Sequence, residues 1–188
     1  ATSHTVSNLT NGQTYTFSIR SVKTNGDVST EVTIQWGPTR RITSSATIYE
    51  FASSNPSGLQ FSTGAVFNFT SAPVDNRGVI DLWIDGRSNS TPLLKSPHDQ
   101  DISTGWRTTY LYQTGVSDIN TQVDIPPLSS FYTTGGLPIV ANRVYLARTQ
   151  DGNYVRFQIS ALQGTYPNRY ITITTIAYND GTGTWAKK

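Results

Sequence analysis

Period-two alternation of apolar and polar residues, interrupted by Asn-Gly and Asp-Gly, constrains this chain more than any other feature. Tyr15, Phe17 and Ile19 alternate with Thr16, Ser18 and Arg20, which puts one set of side chains on each face of a strand. Asn25-Gly26 supplies the positive φ values of a tight hairpin, and Val28 to Ile34 returns with Val28, Val32 and Ile34 as apolar positions. The same grammar recurs near the other end. Arg143 to Arg148 pairs through Thr149-Gln150-Asp151-Gly152-Asn153 with Tyr154 to Ile159, and Tyr170 to Tyr178 reads as a long last strand. No apolar stripe at i, i+3, i+4, i+7 is sustained anywhere, so the pattern predicts an all-β, antiparallel chain.

Composition agrees with that pattern. About a quarter of the 188 residues are Ser or Thr, aromatic residues make up 11%, and charged residues only 14%. Thr, Tyr, Val and Ile suit a pleated, half-buried surface. There is no Cys and no Met, which excludes disulfides, thiolate metal sites, iron–sulfur clusters and a cysteine nucleophile. Sulfur-free cores resist oxidation. With few charges and many hydroxyls, they point to an extracellular, secreted or cell-surface protein. The net charge is +2 and its Lys and Arg are scattered, so a nucleic-acid partner is not expected. No apolar run approaches the roughly 20 residues of a spanning helix.

The pattern changes at Trp36-Gly37-Pro38-Thr39-Arg40-Arg41, where Gly-Pro stops strand pairing. Residues 1–36 are therefore one module, 37–45 a linker, 46–179 a second β domain and 180–188 a flexible tail. Within the second domain, strands are expected at Thr47–Phe51, Leu59–Gly64, Ala65–Phe69, Gly78–Gly86 and Thr109–Gln113. A helical turn is expected at Ser117–Val123, and Gly105–Pro138 is otherwise poorly patterned.

Leu9-x-x-Gly12-x-x-Tyr15-x-Phe17-x-Ile19-x-Ser21-Val22 resembles strands E to G of a fibronectin type III domain. Leu9, Gly12 and Tyr15 stand at its tyrosine-corner positions, where the hydroxyl bonds back to the preceding loop. A whole domain of that family needs about 100 residues and seven strands, so four strands of the sandwich are missing. Half a sandwich cannot cover its own inner face. Either a longer parent chain supplies the rest, or another chain or the second domain does.

The second module resembles the HmuY-like, haemophore-like family of Bacteroidota. The residues concerned are Leu59–Gly64, the Asp81-Leu82-Trp83-Ile84 strand, Leu93-Leu94-Lys95-Ser96-Pro97, the hairpin from Tyr145 to Ile159, and Tyr170-Ile171-Thr172-Ile173. The resemblance implies an all-β surface domain and, for the family, haem held by axial side chains. Haem iron takes His, Met, Cys or Tyr. This chain offers two His, of which His4 lies in the first module and His98 alone in the second. A His/His clamp inside residues 46–179 is impossible. No cofactor is expected, with haem or another porphyrin as the alternative.

Other chemistry is thin. His98, Asp99 and Asp101 form the one cluster of metal-ligating types, to be weighed against a solvated loop after Pro97. Asp81 and Asp85 share a strand face, as a hydrolase pair or as a turn and an edge polar group. Asp151-Gly152-Asn153 and Asn179-Asp180-Gly181 lack the acidic run of a calcium loop and read as turns. Trp106, Tyr110, Tyr112, Phe131 and Tyr132 are either ligand-stacking loop aromatics or core; among them Trp106, Tyr110, Tyr112 and Tyr132 are the candidate saccharide contacts. The sequons Asn8-Leu9-Thr10, Asn68-Phe69-Thr70 and Asn89-Ser90-Thr91 are expected by chance in a chain of this composition. The expected function is a non-enzymatic module of a larger surface, adhesive or filament-forming protein. Its expected partners are copies of itself or neighbouring domains of a longer chain, and possible surface glycans come second.

Overall fold

The computed structural model describes residues 3–10, 13–42, 45–69, 76–87, 90–99, 105–121 and 125–179. Gly12, Asp101, the sequon positions Thr70 and Asn89, and the expected tail 180–188 lie outside the described residues. The chain is all-β and antiparallel, and among the described residues no helix is long and apolar enough to cross a membrane.

β1 (Tyr15–Ile19) and β2 (Val32–Trp36) form a two-stranded sheet by themselves. Beyond them Val22 bridges Val28, and the turn closes with Gly26 N–H donating to Lys23 O, Gly26 having φ +89°. The remaining strands make a sandwich. In chain order they are β3 (Arg40–Ile42), β4 (Ala46–Tyr49), β5 (Gly58–Leu59), β6 (Val66–Phe67), β7 (Leu82–Asp85) and β8 (Leu93–Lys95). They continue with β9 (Tyr110–Gln113), β10 (Leu137–Pro138), β11 (Val144–Arg148), β12 (Tyr154–Ile159) and β13 (Tyr170–Asn179). One sheet runs β10-β8-β7-β5-β6. The other runs β3-β13-β12-β11-β9, with β4 also paired to β13.

The core lies between these sheets. Tyr145 and Ala147 of β11 stand opposite Phe157 and Val155 of β12, and all four are buried with Leu59, Leu82, Ile84 and Leu94 from the facing sheet. Phe61 and Phe157 rings meet across the gap at 4.9 Å. A register shift at Gln158/Ile159 on β13 acts as a bulge. It reverses which parity points inward, so Ile171 and Ile173 are buried on one side of it and Ile176 and Tyr178 on the other. A second, smaller core covers the outer face of β7, where Trp83 packs with Phe69 and Ile80. The unbroken apolar run in β7 is thus a strand buried on both faces.

Several expectations change, among them the strands expected at Gly78–Gly86 and Ala65–Phe69, which shorten to Leu82–Asp85 and Val66–Phe67. Residues 40–42, inside the expected linker, are strand β3, because Ile42 and Arg40 register with Ile176 and Tyr178 of β13. The expected strand Leu59–Gly64 ends after Leu59, since Gly64 N–H donates to Gln60 O and closes a turn. Gly105–Pro138, where described, is held by long-range contacts. It contributes β9 and β10, and its stretch after Thr114 folds over the outer face of the six-stranded sheet. There Val144 N–H donates to Val116 O, Arg41 reaches Asn120 Oδ1 at 2.8 Å, and Arg156 reaches Thr121 O at 3.0 Å. Burial beneath this cover, with Arg41 nearby, holds the Arg156 pKa below its ordinary value. The apolar residues of the first hairpin are largely exposed, Ile19 by 63%, Val32 by 65% and Ile34 by 52%, as the uncovered inner face of half a sandwich implies.

Candidate functional site

The first hairpin is the most unusual surface of the molecule. Its register sets Phe17 against Ile34 and Ile19 against Val32 on one face, and Thr16 against Gln35 and Ser18 against Thr33 on the other. The polar face suits water; among the described residues no sheet packs on the apolar one. The segment before β1 runs beside that face and, with it, encloses an open groove of about 570 Å³ lined by Val6, Leu9, Phe17, Ile19 and Ile34. Tyr15 anchors the segment: its hydroxyl accepts from the Thr10 N–H at 2.8 Å and donates to Gln13 Oε1 at 3.3 Å. The Thr10 hydrogen bond holds the phenol pKa below its usual range. Among the described residues, β1 and β2 pair only with each other, so each keeps one unpaired edge of N–H and C=O groups. An isolated two-stranded hairpin is marginal in water, and open edges template further strands.

The loop aromatics separate into two places. Trp106 belongs to the small core: Phe69 stacks on it at 4.4 Å and the Arg77 guanidinium lies 5.5 Å from its ring. It is a packing residue, not a free platform. Tyr110 and Tyr112 share the outer face of β9, because Leu111 between them points into the core. Tyr112 leans on Phe131 at 5.5 Å. Tyr132 is exposed and pairs through its backbone with Leu111. On the same outer face, Arg148 of β11 lies opposite Tyr110 on one side and Tyr154 on the other, with its Cζ 5.9 Å from each ring centroid. Arg148 and Tyr154 were not among the sequence candidates. The Asp151-Gly152 turn could have revealed their pairing, but the β9–β11 contact that adds Tyr110 is long-range.

His98 and Asp99 sit on a 3-10 turn, Pro97–Asp99. The Asp99 carboxylate is engaged by Lys95 Nζ at 2.9 Å, which already supplies the positive charge a metal would bring. No group of three or more His, Cys, Asp or Glu side chains gathers among the described residues. A His/His haem clamp is not available either. His98 has no second axial partner of its kind in the sandwich, and the buried Tyr145 hydroxyl is occupied, donating to Pro138 O at 2.7 Å and accepting from Val140 N–H at 3.0 Å.

Asp81 and Asp85 do lie on one side of β7, but four strand positions separate them by about 13 Å along the chain, wider than a hydrolase pair. Both are enclosed in ion pairs. Asp81 is buried, accepts from Phe61 N–H at 2.9 Å and meets Arg107 Nε at 2.8 Å. Arg107 in turn pairs with Asp151. Burial pushes the Asp81 pKa up, with Arg107 opposing it.

Asp85 meets Arg87 Nε at 2.8 Å and Lys95 Nζ at 3.0 Å. Burial alone would raise its pKa, but hydrogen bonds from Arg87 and Lys95 outweigh it and hold the group at about 2, below its ordinary 3.8. Folding therefore favours the ionised form. That contribution is complete above about pH 5 and is lost as pH falls toward about 2. After solvent screening it amounts to about 1–2 kcal/mol. Asp85→Asn is expected to flatten the stability profile across that interval in urea titrations; an unchanged acid slope would contradict the assignment.

No family model matches the chain, and no curated protein or solved structure matches it.

Proposed function

We propose that this chain is a non-catalytic module of a larger extracellular or cell-surface protein, adhesive or filament-forming, whose first hairpin is completed by strands of another polypeptide segment. The observation that carries the reading is the bare apolar face of β1 and β2 beside two open strand edges. The occupant is an extended peptide. Its backbone pairs with an open edge, and alternate apolar side chains cover the exposed Ile19, Val32 and Ile34. The Tyr15–Thr10 hydrogen bond supports the likeness of residues 1–36 to the last strands of a fibronectin type III domain. The two packed antiparallel sheets agree with a HmuY-like second domain at the level of architecture alone. Haem binding is the weaker alternative, given the donor set.

Multi-angle light scattering with electron microscopy tests this reading. Concentration-dependent oligomers or fibres are expected, dispersing to monomer in an Ile19→Thr/Ile34→Thr variant whose sandwich melts as before. Head-to-tail completion would give open filaments, not closed rings. A monomer at all concentrations whose β1 and β2 amides exchange as slowly as those of β12 would overturn it, because the hairpin would then need no partner.

A further inference from the structure

We propose that Arg148, held between the rings of Tyr110 and Tyr154, anchors a binding site for a carboxylate-bearing saccharide on the outer face of the six-stranded sheet. The site is distinct from the hairpin and does not depend on its role. Three neighbouring strands, β9, β11 and β12, place Tyr110, Arg148 and Tyr154 in one row by direct register, and adjacent strands are about 4.8 Å apart. The guanidinium is therefore positioned by regular sheet geometry.

Arg148 is unlike the other paired arginines. Arg20, Arg87, Arg107 and Arg169 each engage a carboxylate. Arg148 has no hydrogen bond or ion pair among the described residues and contacts only two ring faces. Cation–π contact fixes a guanidinium without consuming its N–H donors, so the fork is both oriented and open. The one acid in the adjoining turn, Asp151, is already bound to Arg107. Gly152, at φ +85°, lies beside Nη2, which is 3.6 Å from where a Cβ would stand, an ordinary contact distance.

A single oriented fork matches a single carboxylate, which it binds through two parallel hydrogen bonds. Phosphate, at nearly two negative charges, is recognised by clusters of cations, whereas the nearby Arg107 is already committed to Asp81 and Asp151. The tyrosines favour a sugar over a peptide. Tyr110 and Tyr112 offer ring surface for C–H faces and hydroxyl rims for sugar hydroxyls on the same side of the sheet. A uronic acid presents all three features in one residue.

Oligogalacturonate titrated by calorimetry, with its methyl ester as control, tests the site. Binding is expected for the free acid, weakened roughly tenfold or more by esterification and by Arg148→Gln, with Arg148→Lys retaining only part because it lacks the fork. Ile19→Thr should leave it unchanged, which separates failure here from failure of the hairpin reading. The ester control needs no variant, so a misfolded Arg148→Gln would not blunt the test. No binding at about 10 mM, equal binding of acid and ester, or tighter binding of an oligo-glutamate peptide would each overturn the proposal.

Discussion

Arg169→Ala is expected to destabilise the sandwich by about 3–5 kcal/mol, and by more than Glu50→Ala. The asymmetry follows from burial. Glu50 is completely inaccessible, whereas Arg169 keeps some solvent contact. Arg169 Nε and Nη2 meet the two Glu50 oxygens at 2.8 and 2.5 Å, its own N–H donates to Oε1 at 3.1 Å, and Nη2 also reaches Ser90 O at 2.9 Å. Removing the guanidinium strands a carboxylate in the interior. Removing the carboxylate leaves a cation that water can still reach. The pair also ties the sheets together: Glu50 follows β4 and bridges Ile84 of β7, while Arg169 precedes β13. Gly86 belongs to the same arrangement, since a Cβ there would fall 2.0 Å from Glu50 Oε2. Urea unfolding of Arg169→Ala, Glu50→Ala and the double replacement by leucine checks the argument. The double variant should recover most of the loss, because an apolar pair carries no unpaired charge. Equal costs for the two single variants would contradict it.

Trp83→Ala should cost a similar amount, about 3–5 kcal/mol. The indole is fully buried on the outer side of β7, stacks on Phe69 at 4.5 Å, meets Phe51 edge-on at 5.3 Å and lies under the Arg87 guanidinium at 5.4 Å. Its Nε1 donates to Ser96 O at 2.9 Å. Truncation opens a cavity and orphans that carbonyl. Trp83→Phe keeps most of the contact area but loses the hydrogen bond, with an expected cost of about 1–2 kcal/mol. The midpoint shift in thermal or urea unfolding reads both. A Phe variant as damaged as the Ala variant would mean that the hydrogen bond outweighs packing, contrary to this account.

Arg148 shows how far the candidate sites could be read from the chain. Its pairing with Tyr154 follows from a five-residue connection through Asp151-Gly152, and hairpin register is local information. Tyr110 joins them only because β9 adds to β11 from more than thirty residues away, and nothing in Thr109–Gln113 names that partner. Trp106 illustrates the converse. As a loop aromatic it has the composition of a ligand contact, yet Phe69 and Arg77 cover it. Asp99 looks like a ligand until Lys95 is placed beside it.

The all-β class, the turns at Asn25-Gly26 and Asp151-Gly152, and the pairing partners within β1–β2 and β11–β12 were determined by sequence alone. Alternation and turn chemistry act over a few neighbouring residues, where the chain itself holds all the terms. Tertiary structure decided the rest. Strands of two or three residues such as β5, β6 and β10 contain too few positions for a period and exist only because a neighbouring strand pairs with them. Alternation likewise says which residues share a face, but not whether a layer lies over it. Phe157 and Ile34 obey the same pattern; one is buried and the other bare, because a second sheet packs on β12 and none, among the described residues, packs on β2.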